Sequence, residues 1–302
     1  MRTIGVIGLG KMGLPIAENL LSRGFGVVGY RRSIECPELE AAGGTLASSP
    51  AELAASCEVI VSILPTADDV EHVVCGPEGT LSTMRPGAVH LEMSTIPVTS
   101  KLGLMRQLGH VGATMLDCPI SGSPGMVGPR LATVFASGAA EAIDRVADVL
   151  DAISGPWVRT GDFGTGTHLK YISSMLVATH TVAAAEAIVL ARRNNLDLDM
   201  VQHTLETSIA GSALLKQRGP LMAHRSWLPA PGPIATLHEI LDQIEVHLHD
   251  LGEHRPVFEA AKAVFDQALA DGWGELDIAS VHDQISTEDA LSRKESPNDR
   301  SH

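Results

Sequence analysis

The sequence lacks the features that mark membrane proteins and disulfide-stabilised proteins. Its 302 residues contain no apolar run close to the roughly 20 residues that span a bilayer, and no signal-like stretch precedes the first strand-like segment. The cysteines are scattered without the paired spacing of a metal site, and we interpret them as reduced, mostly structural thiols (Cys36, Cys57, Cys75 and Cys118). We therefore expect a cytoplasmic protein without a membrane partner.

Basic residues are also scarce in this chain. It carries 22 Lys and Arg against 36 Asp and Glu, which gives a net charge of −14 at pH 7. This surplus of negative charge repels nucleic acids and anionic membranes, so we expect neither as a partner. An anionic ligand must then be held by a local group of cations. The length leaves room for two domains, each with its own core.

A strand, a glycine turn and a helix follow one another within the first residues. The β-branched run Thr3–Ile7 leads into Gly8, Gly10 and Gly13, residues 14–23 have a helical pattern, and a second strand is predicted at residues 26–30. In a dinucleotide-binding turn, the first glycine makes the tight turn, the second lets backbone approach a pyrophosphate, and the third lets the helix pack closely. A pyrophosphate bound here would lie on the free amides of the new helix. The strand before the turn, the helix after it and the second strand favour a nucleotide site over a purely structural turn.

The end of the second strand indicates which dinucleotide is bound. It carries Arg31, Arg32 and Ser33, and no carboxylate occurs before Glu35. An acidic residue here would bind a free ribose 2′-hydroxyl, whereas arginine suits a 2′-phosphate. We therefore predict NADP as the cofactor, with NAD less favoured. The alternative is a solvated pair of arginines without a ligand.

Strands and helices alternate through the first half of the chain. A capping box at residues 49–52 opens a short helix that ends at Ser56, and another helix is expected near residues 141–150. Further strand signals fall at residues 59–63, 89–92, 115–117, 133–136 and near 157. This alternation predicts an α/β fold in which residues 1–163 form a Rossmann domain with a doubly wound, mostly parallel sheet.

Helical patterns replace the strands from residue 164 onward. Residues 165–193 are predicted to form one long helix, and further helical stretches fall at residues 199–207, 212–217, 234–251 and 256–271. We expect an all-α domain over residues 164–285 and a disordered polar tail over 286–302. The portion at residues 178–191 is apolar nearly all round, so it should be buried on most sides. A second subunit would help to cover it, which predicts a homodimer through the helical domain.

Two segments carry groups that suit catalysis or substrate binding. Residues 117–123, Asp-Cys-Pro-Ile-Ser-Gly-Ser, offer backbone amides and two hydroxyls, which suits a carboxylate ligand; an ordinary loop is the alternative. Lys170 lies near the start of the long helix, with Ser174 on the same face one turn later. A lysine sheltered between domains beside a cationic nicotinamide has a depressed pKa and can act as a general acid or base. Most helical lysines are instead solvated.

Five motifs in order resemble the β-hydroxyacid dehydrogenase family over residues 1 to about 280. They are residues 8–20, 63–65, 94–97, 117–122, and the Gly-Thr-Gly at 164–166 before Lys170. This family includes 3-hydroxyisobutyrate dehydrogenases and, more distantly, 6-phosphogluconate dehydrogenases and imine reductases. The resemblance implies hydride transfer between a nicotinamide and the carbon β to a substrate carboxylate, with Lys170 protonating or deprotonating the reacting oxygen.

The resemblance also implies which residues bind cofactor and substrate. Gly8, Gly10, Met12 and Gly13 would hold the pyrophosphate, with Leu9 and Lys11 between them, while Leu64, Pro65, Thr66 and Thr95 would line the path to the nicotinamide. Ser121, Gly122 and Ser123 would hold the substrate carboxylate, and Ser174 would bond to a substrate oxygen.

The chain departs from the family pattern at three places. The family usually carries two asparagines after the lysine, where this chain has Ser173 and Ser174, and Ser123 replaces the second glycine of a Ser-Gly-Gly turn. A Lys-Asp pair on a late helix has no counterpart in residues 237–242, where His238 or Glu239 takes its role or the role is lost. These changes leave two alternatives open: a reductase of imines or other substrates without a carboxylate, and an NADP-binding protein without turnover.

One arrangement of possible metal ligands occurs near residue 250. His247, His249 and Asp250 resemble a metal clip, but alternate residues of a helix point to different faces. We therefore predict no metal site, and hydride transfer from a nicotinamide needs none.

Overall fold

The computed structural model describes residues 2–33 and 35–286. These residues form two compact units, the first ending at Lys170 and the second beginning at Tyr171, so the division falls within the long helix. The tail predicted to be disordered lies almost wholly outside the described residues, and so does Ile34 beside the predicted cofactor residue Ser33.

The first unit is built on a nine-stranded sheet. Its strands are β1 (Thr3–Ile7), β2 (Gly26–Tyr30), β3 (Thr45–Leu46), β4 (Val59–Ser62), β5 (Val89–Glu92), β6 (Thr114–Asp117), β7 (Ile120–Ser121), β8 (Thr133–Ser137) and β9 (Trp157–Gly161). Their order is β3-β2-β1-β4-β5-β6-β8-β7, with β9 paired to β8. Strands β1 to β6 are parallel to one another, whereas β8 is antiparallel to β6 and β7. The predicted Rossmann-like, mostly parallel sheet is therefore confirmed.

The sheet is buried on both faces because side chains alternate along each strand. On β1, Ile4 and Val6 pack into one apolar core, while Ile7 packs into another. On β4, Val59 and Val61 join the first core and Ile60 joins the second. Successive residues of a strand point to opposite faces, so near-continuous apolar strands need helices on both sides.

Helices supply that cover in the first unit. They are α1 (Gly13–Ser22), α2 (Pro37–Ala41), α3 (Pro50–Ser56), α4 (Ala67–Cys75), α5 (Val98–His110), α6 (Pro124–Val127), α7 (Ala140–Arg145) and α8 (Ala147–Ile153). The predicted cap of α3 is confirmed, since the Glu52 amide donates to the Ser49 hydroxyl at 3.1 Å. The single helix predicted at residues 141–150 is wrong, because Val146 has a φ of −116° and separates α7 from α8.

The second unit consists mainly of helices. It contains most of α9 (Thr165–Arg193), followed by α10 (Leu198–Glu206), α11 (Ala213–His224), α12 (Ile234–Asp250), α13 (Pro256–Ala270) and α14 (Val281–Ile285). Its core contains Ala178, Ala185 and Ile188 of α9 together with Phe258 and Phe265 of α13. Helix α11 extends well beyond the predicted end at residue 217 and contains Pro220.

Helix α9 leaves part of its apolar surface uncovered by the described chain. Ile172, Leu176 and Leu190 have 51%, 44% and 62% of their surface exposed, and of these Leu190 lies in the portion predicted to be buried on most sides. By length and composition α9 also suffices to cross a membrane, with a mean hydropathy of 1.6 in an 18-residue window of which 44% is buried. The core helix of a soluble protein meets the same criteria.

Candidate functional site

The carboxyl ends of five neighbouring strands lie at one edge of the sheet. Ile7 pairs with Tyr30 and Ser62, Ser62 pairs with Glu92, and Glu92 pairs with Asp117. The residues that follow these strands therefore start from the same edge. Crevices outside this edge of an open parallel sheet are where doubly wound folds bind their ligands.

A cleft of about 570 Å³ opens beside the glycine turn. Six of the predicted cofactor residues line it: Gly8, Leu9, Gly10, Arg31, Arg32 and Leu64. The remaining lining residues were not singled out from the sequence: Ile7, Tyr30, Asp68, Asp69, His72 and Val73. All of these lining residues belong to the first unit, so residues of this unit determine which ligand the cleft can bind.

The three glycines of the turn meet different surroundings. A Cβ on Gly13 would lie 1.8 Å from the Gly8 carbonyl oxygen, and one on Gly8 would lie 2.2 Å from the Ile63 oxygen. Gly8 also has a φ of +96°, which favours glycine. Gly10 is exposed, and a Cβ there would meet nothing within 4 Å. The fold itself accounts for Gly8 and Gly13, whereas the open space at Gly10 fits close approach by a pyrophosphate.

The arginines predicted to select the cofactor face two carboxylates. Arg32 lies 3.3 Å from Asp69, and its side chain is 81% exposed. Asp68 lines the same cleft, while Ser33 is exposed outside that lining. The cleft thus contains cationic and anionic side chains in equal number, which the arginine motif alone did not indicate.

The other predicted cofactor residues are not part of the described lining of the cleft. Lys11 and Pro65 are exposed, and Met12 occupies the N-cap position of α1. The Thr66 hydroxyl caps α4, accepting from the Asp69 amide at 3.0 Å and donating to its carboxylate at 2.8 Å. Thr95 is half-buried in the segment after β5.

The predicted carboxylate-binding turn follows β7. Gly122 is exposed with a φ of +152°, and a Cβ on it would lie 2.8 Å from the Cβ of Ala132. Ser121 and Ser123 are partly exposed, and Ser123 occupies the N-cap position of α6 without a capping bond from its side chain. The turn is therefore sterically constrained at Gly122, while both serines remain partly exposed.

Lys170 lies on the second turn of α9 and is only partly exposed. Burial of the amine removes it from water and lowers the pKa of Lys170 to about 8. Ser174 follows one turn later, in the second unit, and keeps only 4% of its surface exposed. An amine with this pKa exists in both protonation states near neutral pH, as proton transfer requires.

Buried polar groups lie directly behind the carboxyl edge. The Ser62 hydroxyl donates to Glu92 and lies 2.6 Å from Nε2 of His90. Burial lowers the pKa of His90 to about 4 and raises the pKa of Glu92. Lys101, on α5, is fully buried and lies 2.7 Å from Asp117. A lysine on a helix is usually solvated, so no sequence signal identified Lys101.

A cluster of charged groups occupies the late helices of the second unit. His238, Asp242 and Asp266 are close enough together to hold a metal ion, but the Lys262 ammonium already lies 3.0 Å from Asp242 and 2.9 Å from Asp266. Burial alone would lower the pKa of Lys262, yet its hydrogen bonds with the two aspartates raise it. His238 therefore belongs to an ion-pair cluster that the sequence had not indicated.

Two family models together match nearly the whole described chain. The NAD-binding domain of 6-phosphogluconate dehydrogenase matches residues 3–161, and the NAD-binding domain of NADP-dependent 3-hydroxyisobutyrate dehydrogenase matches residues 164–284. The first alone covers more than half of the chain.

Individual relatives agree with these family models. The chain is 33% identical to an L-threonate dehydrogenase from Cupriavidus necator, over 93% of this chain and 95% of that protein. It is 27% identical to a 3-sulfolactaldehyde reductase from Escherichia coli, over 97% and 99%. A crystal structure of 3-hydroxyisobutyrate dehydrogenase from Salmonella typhimurium superposes with a TM-score of 0.84 at 27% identity, over 94% of this chain and all of that one. With these matches and the glycine-turn cleft, the chain belongs to the β-hydroxyacid dehydrogenase family and is an NAD(P)-dependent oxidoreductase that acts on CH–OH groups.

Proposed function

We propose that this oxidoreductase uses NADP and transfers hydride between the nicotinamide and a small β-hydroxy acid or its semialdehyde, with Lys170 as general acid and base. The observation that carries the proposal is the amine of Lys170, whose pKa burial lowers to about 8. Asp117, at the carboxyl edge, bonds to Thr167 at 2.8 Å, one turn before Lys170. This contact supports a placement of the Lys170 amine near the carboxyl edge of the sheet, where the glycine turn also begins.

The bound nicotinamide supplies the hydride for reduction and takes it up in oxidation. In reduction, the Lys170 ammonium donates a proton to the carbonyl oxygen as that oxygen gains negative charge. In oxidation, the neutral amine accepts the proton of the substrate hydroxyl. The two directions therefore need opposite protonation states of one nitrogen atom.

The turn at residues 121–123 is proposed to hold the substrate carboxylate. Ser121 and Ser123 offer hydroxyl donors, and backbone amides supply the rest of a set without a competing carboxylate. L-threonate and 3-hydroxyisobutyrate, named in the relatives, are both small hydroxy carboxylates. A substrate of this class carries the carboxylate that the turn would bind and the oxygen on which Lys170 would act.

The preference for NADP rests on Arg31 and Arg32, which both line the cleft. Arginine binds phosphate through several parallel N–H donors, which a ribose hydroxyl cannot exploit. Asp69 competes for Arg32, so we expect NADP to be preferred while NAD is still bound.

A homodimer is proposed through helix α9. Its exposed positions Ile172, Leu176, Ala183 and Leu190 recur at intervals of four or seven residues, which places them along one stripe of the helix. An apolar stripe of this length is stabilised when a second copy of the chain removes it from water.

The catalytic assignment is tested with Lys170→Met, which removes the amine while keeping an unbranched side chain. We expect kcat with NADPH and a panel of small semialdehyde acids to fall by about 10²- to 10⁴-fold, while the Kd for NADPH stays within twofold of the wild type. Lys216→Met is the matched control, since Lys216 is exposed on α11. A Lys170→Met enzyme with the wild-type rate would refute the assignment.

The same panel separates the alternatives. Turnover of cyclic imines in place of semialdehyde acids would favour an imine reductase on this scaffold, which the serines at 173 and 174 left open. NADPH binding without oxidation of the cofactor by any substrate of the panel would contradict the proposed catalysis.

A further inference from the structure

We propose that the buried ion pair of Lys101 and Asp117 is a positioning device that holds the first turn of α9 against the carboxyl edge, and with it Lys170. The proposal rests on the proposed function, because it concerns the placement of the proposed acid/base. Neither residue touches the reacting atoms, so both act through the helix.

The Asp117 carboxylate accepts four hydrogen bonds, and two of them come from Thr167 at the start of α9. Its Oδ1 atom accepts from the Lys101 ammonium at 2.7 Å and from the Thr167 hydroxyl at 2.7 Å. Its Oδ2 atom accepts from the Thr167 amide at 2.8 Å and from the Ser137 hydroxyl at 3.1 Å. The amides of a first helical turn have no acceptor within the helix, and an N-cap side chain normally accepts from one of them. In α9 the Asp117 carboxylate, from strand β6, accepts from the Thr167 amide in this way.

The backbone of α9 is shaped to accept this contact. A Cβ on Gly166 would lie 2.9 Å from the Asp117 carbonyl oxygen, 3.1 Å from its Oδ2 atom and 2.5 Å from the Phe135 oxygen. A larger residue would therefore push the helix turn away from the sheet. The glycine before Thr167 is explained by this close approach.

Lys101 connects the same turn to the cofactor side of the sheet. Its ammonium also donates to the Ser94 carbonyl oxygen at 2.7 Å, and the Ser94 hydroxyl accepts from the Leu64 amide at 2.8 Å. Leu64 lines the proposed cofactor cleft. A continuous series of hydrogen bonds thus runs from the cleft wall through Lys101 and Asp117 to the helix that carries the amine.

Stability alone is a weak reason for such a pair. A fully buried lysine is rare, and replacing a buried ion pair with packed apolar residues is often neutral or stabilising. The pair of Lys101 and Asp117 instead holds α5, β6 and the first turn of α9 in fixed positions relative to one another. Proton transfer depends on such precise placement of the acid/base.

The test uses Thr167→Val, which is nearly isosteric and removes only the hydroxyl. We expect kcat to fall at least tenfold, the Kd for NADPH to stay within twofold, and amide hydrogen exchange of residues 165–170 in the cofactor-free protein to accelerate. Thr167→Ser keeps the hydroxyl and should restore kcat to within threefold of the wild type. Thr181→Val is the matched control, because Thr181 is equally buried on α9 but bonds only to the Val177 carbonyl within that helix.

The outcomes separate this proposal from the proposed function. If Lys170→Met abolishes turnover while Thr167→Val keeps wild-type kcat and exchange, the positioning role is overturned and the catalytic role stands. If Thr167→Val and Thr181→Val lower kcat equally, the effect is general destabilisation and the positioning role is again overturned. A Lys170→Met enzyme with full activity would overturn both.

Discussion

Gly10→Ala should separate cofactor binding from folding. The new Cβ would meet nothing within 4 Å, and Gly10 is not among the glycines with positive φ, so the fold tolerates the methyl group. The unfolded chain loses freedom, which should stabilise the protein by about 0.4–1 kcal/mol and raise Tm by about 1–4 °C. A pyrophosphate on the turn would instead meet a methyl group, at a cost of about 1–3 kcal/mol, or about 5- to 150-fold in Kd.

Titration calorimetry with NADPH and thermal unfolding measure the two effects on one sample. Gly103→Ala is the matched control, because its Cβ also meets nothing, but it lies on α5 outside the cleft lining. Gly13→Ala should lose both binding and stability, since its Cβ would lie 1.8 Å from the Gly8 oxygen. Unchanged NADPH affinity in Gly10→Ala would show that the turn does not hold the pyrophosphate.

Three further predictions follow from charge and exposure. Asp69→Asn frees Arg32 from an exposed pair worth about 0.2–1 kcal/mol. It should raise the NADP over NAD ratio of kcat/KM by about 1.4- to fivefold, and a lowered ratio would contradict this. Since the pKa of Lys170 is about 8, reduction should slow and oxidation should accelerate as pH rises through 8, a pattern that Lys170→Met abolishes. The double variant L176E/L190E should sediment as a monomer, and a persistent dimer would exclude that surface.

The local sequence pattern was enough to predict a helix or strand wherever the element has a strong hydrophobic period or a clear boundary residue. Helix α9 begins and ends at the predicted residues, because Gly164 precedes it with a φ of +96° and its apolar periodicity continues to Arg193. The strands β1 and β2 were equally well predicted, since a glycine turn separates them from α1. Turn residues and hydrophobic period are properties of the local chain, so a single sequence contains them.

Elements that depend on distant partners were not predicted. Strands β3 and β7 have two residues each and exist only because β2 and β8 pair with them. Helices α4 and α5 were also missed, although Thr66 caps α4 with its hydroxyl. The buried state of Lys101 could not be predicted either, because its carboxylate partner, Asp117, belongs to strand β6 and the residues around Lys101 are typical of a solvated helix.

Cofactor selection shows how a local motif can be an incomplete description. The arginines follow β2 and the aspartates begin α4 after β4, and these segments meet only because β1 lies between β2 and β4 in the sheet. Two opposite charges a few ångströms apart largely cancel their fields at the distance of a bound ribose. We therefore expect the balance of Arg31 and Arg32 against Asp68 and Asp69 to decide whether a 2′-phosphate is preferred. Removing one carboxylate should then favour NADP, and removing one arginine should disfavour it.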